Sequence, residues 1–179
     1  MAKWIIDADH TAAHFTARHM MINDIRGQFN KIAGFINFDP SDIAATSMEI
    51  KIDAARILTG VEPMDNHLRS SDFLDVEKYP HIIFKSTKSE EVGSNMFKVH
   101  GRLTLHDITK PVIPHAEFFG PTYFTDETGS YTTMGFAATA YLHREAFGMT
   151  WNFKYPGGFT VGKHINITLN AEADLGKED

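Results

Sequence analysis

Apolar and polar residues alternate with period two through much of this chain. In the clearest run, residues 97–105, Phe97, Val99, Gly101, Leu103 and Leu105 fall on one face, and Lys98, His100, Arg102 and Thr104 fall on the other. Residues 134–142 and 165–171 repeat the pattern. Side chains two positions apart share a face of a strand, so each run predicts a half-buried β-strand. Weaker alternation predicts strands over residues 25–38, 48–53, 82–87 and 112–119. Residues 12–19 set Ala13, Phe15 and Ala17 against His14, Thr16 and Arg18, which predicts one more. Turn-forming residues at 39–42, 91–95 and 126–130 punctuate the series. About eight strands so spaced predict an antiparallel sandwich or barrel. One stretch breaks the pattern. Over residues 62–71, Pro63 suits a first helical turn and Met64 and Leu68 share a helical face, so a short helical insertion is expected across one end of the sheet. Residues 144–147 predict a further single turn.

The apolar faces mix sizes. Gly101, Ala138 and Ala140 stand beside Phe97, Leu103 and Phe136. An eight-stranded barrel either fills with side chains or holds one small ligand, and this mixture suits both.

Composition narrows the chemistry. The chain has 179 residues, 42% of them hydrophobic, with no cysteine and ten histidines. One domain over residues 1–179 is the expectation at this length. Without cysteine there is no disulfide, thiolate metal site or cysteine nucleophile. A formal net charge of −6 argues against nucleic acid as a partner. No apolar run approaches the roughly 20 residues of a membrane-spanning helix. The opening residues reach Asp7 without the apolar stretch of a signal peptide, so a cytoplasmic location is expected, or a periplasmic one if a leader has been removed.

No constellation compels a reaction. His10 and His14 have the spacing of a helical zinc pair, but the segment lacks the accompanying glutamate and reads as extended. Residues four apart on a strand sit about 13 Å from each other, too far to share an ion. Asp65, His67, Arg69, Ser70, Asp72 and Asp75 crowd the helical insertion, yet Ser70 lacks a nucleophile elbow. Capping helix ends and pinning a loop over the barrel mouth is the simpler role. Neither catalytic residues, a metal nor a cofactor are therefore expected. The aromatic group Phe118, Phe119, Tyr123 and Phe124 suits core or interface.

Ordered blocks then carry more than pattern does. Trp4-x-Ile6-Asp7-x-x-His10-Thr11 leads to Arg18-His19-Met20 and Ile25-Arg26-Gly27-x-Phe29. Asp65-x-His67-Leu68-Arg69-Ser70-x-Asp72-Phe73-Leu74-Asp75 and Tyr79-Pro80-x-Ile82-x-Phe84 follow. Gly101-x-Leu103-Thr104-Leu105-His106-Asp107-x-Thr109-Lys110-Pro111 and Arg144-x-x-Phe147-Gly148-Met149-x-Trp151 complete the series. Together they resemble the YceI-like family over nearly the whole chain. Met64 stands where relatives often carry arginine. The resemblance implies an all-β fold, an eight-stranded antiparallel lipocalin-like barrel with an apolar cavity. It also implies a polyisoprenoid or other long-chain lipid as ligand, with transport, storage or stress response as the role. On that basis the expected wall is Phe15, Phe84, Phe97, Val99, Leu103, Met134, Phe136, Ala138, Ile165 and Ile167. Phe147, Met149 and Trp151 are expected to close one end, and Arg18, His19, His67 and Arg69 to contact the ligand. A homodimer is a further expectation. Two rival readings are an enzyme acting on a lipid in the cavity, through His67 and Asp72 or His14 and His19, and a structural stress protein with a filled barrel.

Overall fold

A computed structural model describes residues 1–127 and 129–176. The chain forms β1 (Ala2–His19), β2 (Asn23–Phe29), β3 (Ile32–Phe38), β4 (Ser47–Asp53), β5 (Ile57–Leu58), α1 (Glu62–Arg69), β6 (His81–Gly93) and β7 (Met96–Leu105). Then come β8 (Ile108–Val112), β9 (His115–Asp126), β10 (Gly129–His143), β11 (Lys154–Tyr155), β12 (Gly158–Phe159) and β13 (Val161–Leu175). Eight antiparallel staves run up and down and close on themselves, because β13 pairs with β1 as well as with β10. Among the described residues, closure leaves no long sheet edge open to another chain. Among the described residues, no helix is long and apolar enough to cross a membrane.

Two staves are made of two strands each. β2 and β3 both pair with β1, one beside residues 13–19 and the other beside residues 2–5. The stretch 25–38 is thus one stave broken at Asn30 and Lys31, opposite a register shift in β1 between Asp7 and Ala12. β8 and β9 both pair with β7, so the strand expected over 112–119 straddles a break. Pro114 sits in that break, where it has no N–H to give a ladder. Its carbonyl still accepts from Val99 N at 3.0 Å. β1 and β13 extend well beyond the alternating runs at 12–19 and 165–171. The β11–β12 hairpin has no alternation long enough to announce it. The turn expected over 126–130 includes Thr128, which lies outside the described residues.

The helical insertion forms as α1. Pro63 opens it, Glu62 and Asp65 occupy its first turn, and His67 and Arg69 its last. That charge order complements the helix dipole. α1 and the following loop lie over the barrel end formed by His19, Asp53, His81, Leu105 and His143. This is the lid end.

The opposite end is solid. Phe38 is fully buried, with ring centroids 4.8 Å from Phe118, 5.3 Å from Phe136 and 5.9 Å from Phe97. Trp4, Ile36, Met134 and Ala173 fill the space around this cluster. Phe119, Tyr123 and Phe124 stay exposed on the outside of β9. The aromatic group is therefore split, with Phe118 in the core and the other three on the surface.

Candidate functional site: an apolar chamber beneath a latched lid

Above the phenylalanine floor the barrel is hollow. A cavity of about 240 Å³ runs from Phe97 and Phe136 to Leu68, Phe73 and Leu74 under the lid. Phe136 and Leu142, both on its wall, are six residues apart on β10, which is roughly 20 Å at the rise of a strand. Its walls are almost wholly apolar, and Arg144 is the only charged residue among them.

Small residues open this space in two ways. Register brings Ala13, Leu169, Ala138 and Ala116 into one row across β1, β13, β10 and β9. Three alanines in a row of four leave volume unfilled. The glycines act differently. A Cβ on Gly101 would lie 2.2 Å from the Phe84 ring and 2.7 Å from the Lys85 carbonyl oxygen. A Cβ on Gly27 would lie 2.5 Å from the Phe15 ring. Each glycine lets a phenylalanine ring lie flat against the barrel wall instead of projecting into the lumen.

Burial records the result. Inner-face residues Leu103, Ile165, Ile167 and Leu169 are only partly buried, although their outward neighbours on each strand are the polar ones. Their remaining exposed surface faces the chamber. β8 pairs with β7 alone among the described residues, while β9 meets β10 only as far as Thr139. Val112, Pro114 and Thr139 flank the resulting seam and join the chamber lining.

The charged block around α1 forms a latch. Asp65 is 4% exposed, and its Oδ1 accepts from Thr59 N at 2.7 Å and Thr59 Oγ1 at 2.6 Å. Arg69 donates from Nε to the Ala55 carbonyl at 2.9 Å and from Nη2 to the Ile57 carbonyl at 2.8 Å. His67 Nε2 lies 2.8 Å from Asp72 Oδ2, and its ring meets Phe73 and Trp151 edge-on. These contacts fix the lid to β5 and to the 148–153 loop. On the far side, His106 Nδ1 lies 3.2 Å from the Phe147 carbonyl oxygen. That contact ties the β7–β8 hairpin to the turn Arg144–Phe147.

Of the residues expected at the ligand, Phe15, Phe84, Phe97, Val99, Leu103, Phe136, Ala138, Met149, Ile165 and Ile167 line the chamber. Met134 is on the same inward face as the chamber wall but two residues beyond Phe136, buried in the solid end. Phe147 is buried in the lid-end turn, and Trp151 packs outside Phe73. His67 and Arg69 belong to the latch. Arg18 pairs with Asp24 at 3.3 Å at the barrel rim, where His19 ends β1. Sequence reasoning missed Leu68, Phe73 and Leu74 on the lid, and Met48, Ile50 and Ile52 on β4. The period-two spacing of Met48, Ile50 and Ile52 was the available signal for the second group. Sequence reasoning also gave no role at the site to Arg144, although Arg144 opens the last of the ordered blocks.

Comparison with known proteins agrees with this architecture. The YceI-like domain matches residues 4–173. A UPF0312 protein of Vibrio cholerae is 37% identical over 150 residues, which cover 83% of this chain and 78% of that protein. In fold, the chain resembles Burkholderia cenocepacia BcnA, with a TM-score of 0.78 and 21% identity over 93% of this chain and 98% of that one. It also resembles a polyisoprenoid binding domain from Saccharophagus degradans, with a TM-score of 0.74 and 10% identity over 98% of this chain and all of that one (100%). With a domain match across nearly its whole length and a relative this similar, the chain belongs to the YceI-like family.

Proposed function

We propose that this protein binds a long-chain apolar lipid, of polyisoprenoid or isoprenoid-quinone type, and serves in its transport, in its storage or in a stress response. The observation that carries the reading is the apolar chamber of about 240 Å³ held between a packed floor and a latched lid. An apolar cavity of about 150 Å³ already takes a benzene. The Saccharophagus degradans neighbour, described as polyisoprenoid binding, supports the ligand class. At about 25 cal/mol per Å², burying a few hundred Å² of tail yields several kcal/mol before association costs. Such binding needs wall area and no directional chemistry. The reading of an enzyme working through His67 and Asp72 is less favoured, because neither residue lines the chamber. A barrel filled throughout does not fit the open upper half. The exposed Phe119, Tyr123 and Phe124 carry the further proposal of a homodimer, which analytical ultracentrifugation tests.

The direct test is organic extraction of the purified protein followed by mass spectrometry, with titration of polyprenols into the delipidated protein. A co-purifying isoprenoid, or saturable polyprenol binding, is the expected outcome. No lipid in the extract and no binding of added polyprenols would overturn the proposal.

A further inference from the structure

Arg144 is a buried cation that forms no direct ion pair among the described residues. It is 2% exposed. Its Nε donates to the Gly162 carbonyl at 2.9 Å, Nη1 to the Met149 carbonyl at 2.6 Å and Nη2 to the Val161 carbonyl at 3.4 Å. A guanidinium carries five N–H groups, so three acceptors do not exhaust it. None of the ion pairs among the described residues includes Arg144. The adjacent carboxylate, Glu145, turns instead to Lys163 at 3.2 Å. Around Arg144, the chamber presents Leu142, Met149 and the Phe73 ring, whose centroid lies 5.9 Å from the guanidinium carbon.

A buried charge is costly when it lacks an opposite charge, and carbonyl dipoles offset only part of that cost. Burial accordingly pulls the Arg144 pKa below its ordinary value, although arginine keeps its proton in proteins. A wholly apolar ligand would leave this charge to the three carbonyls and the weaker Coulomb pull of Glu145. An anion at the same place would supply the missing partner, in a setting where charge-assisted hydrogen bonds are strong. Arg144 also stands at the lid end, while the opposite end of the chamber is closed by phenylalanine. The chamber therefore has a direction.

We propose that Arg144 is the docking point for an acidic headgroup, a phosphate or carboxylate, on a lipid whose tail points toward Phe97 and Phe136. This rests on the chamber reading above and adds to it the headgroup chemistry and the orientation of the ligand.

Two fluorescent probes with one tail and different heads test it: cis-parinaric acid and its methyl ester, titrated into the delipidated full chain near neutral pH. The expected result is that the wild type binds the acid about tenfold or more tightly than the ester. Arg144→Gln should abolish that preference while leaving ester affinity within about twofold. Arg144→Lys should retain part of it. Excess inorganic phosphate should not displace the acid; displacement would indicate a site for free anions and overturn the assignment. Equal binding of acid and ester to the wild type would overturn it too, and that measurement needs no variant to fold. Equal weakening of both probes by Arg144→Gln would also count against it. If the ester binds and the acid gains nothing, the chamber reading survives and only the headgroup assignment falls. If neither probe binds the wild type, the headgroup assignment falls, and the polyprenol titration above decides the chamber reading separately.

Discussion

The two halves of this barrel follow one rule of alternation and reach opposite outcomes. At the closed end, Phe38, Phe97, Phe118 and Phe136 pack ring against ring, and Phe38 has no exposed surface. At the lid end, equally apolar inner faces leave about 240 Å³ open. Hydrophobicity does not separate the halves; side-chain volume and where the rings lie do. The closed end turns phenylalanines inward against each other. The lid end sets alanines in a row and lays Phe15 and Phe84 flat over Gly27 and Gly101. Hollowness is thus a packing decision made residue by residue on a common scaffold.

The largest effect should come from emptying the solid half. Phe38→Ala should cost about 3–5 kcal/mol, as measured by urea unfolding, because a fully packed aromatic leaves a cavity behind. Ile167→Ala, on the chamber wall, should cost about 1–2 kcal/mol, since that side chain already borders open space. Equal costs would erase the contrast between the halves.

Next comes the ring that holds the lumen open. Gly101→Ala should cost about 1–3 kcal/mol through overpacking. The new methyl meets both the Phe84 ring and the Lys85 carbonyl oxygen. A crystal structure of the variant should show Phe84 displaced into the chamber. Cutting the latch should be comparable. Asp65→Ala strips Thr59 of two hydrogen bonds to a buried carboxylate and should cost about 1–3 kcal/mol. The distinguishing readout is faster amide hydrogen exchange over residues 62–76, with exchange at the closed end unchanged.

Filling the hollow half should be cheap. Ala138→Phe adds volume where volume is free, and its unfolding free energy should stay within about 1 kcal/mol of the wild type. A comparable insertion at Ala173, which is fully buried in the solid half, should be poorly tolerated.

The smallest effect lies outside both halves, at the irregularity of β1. His10 Nδ1 lies 2.7 Å from Asp7 Oδ2. This hydrogen bond raises the His10 pKa above its ordinary 6.5 and lowers that of Asp7 below its ordinary 3.8. The His10 contribution is complete below pH 6.5 and is lost as pH rises through its raised value. The Asp7 contribution is complete above pH 3.8 and is lost as pH falls through its lowered value. The contact is therefore fully formed between those two values. NMR titration should place His10 above 6.5, and Asp7→Asn should bring it back, with little change in global stability.

The strands, the inner face of most of them and the helical insertion were legible because alternation and Pro63 are local signals. The chamber was not. Ala13, Ala116 and Ala138 share a row only because β9, β10, β13 and β1 adopt one particular register, and that register is a property of the closed barrel. Gly101 read as a small residue beside a cavity, yet the Phe84 ring covers it. His67 and Arg69 read both as a pin over the barrel mouth and as ligand contacts, and their partners, Asp72 and the Ala55 and Ile57 carbonyls, are those of a pin. Arg144 stood in the last ordered block without an expected role, for the converse reason. Its burial follows from Gly162 and Met149 folding around it, which no short-range pattern encodes.

If the open half of the barrel is where the ligand sits, filling that half must cost binding. Titrating a polyprenol into delipidated wild type and Ala138→Phe, with native mass spectrometry as the readout, tests it most directly. The expected result is a one-to-one complex with the wild type and loss of binding by about tenfold or more in the equally stable variant. A folded Ala138→Phe that binds the polyprenol as well as the wild type does would contradict it.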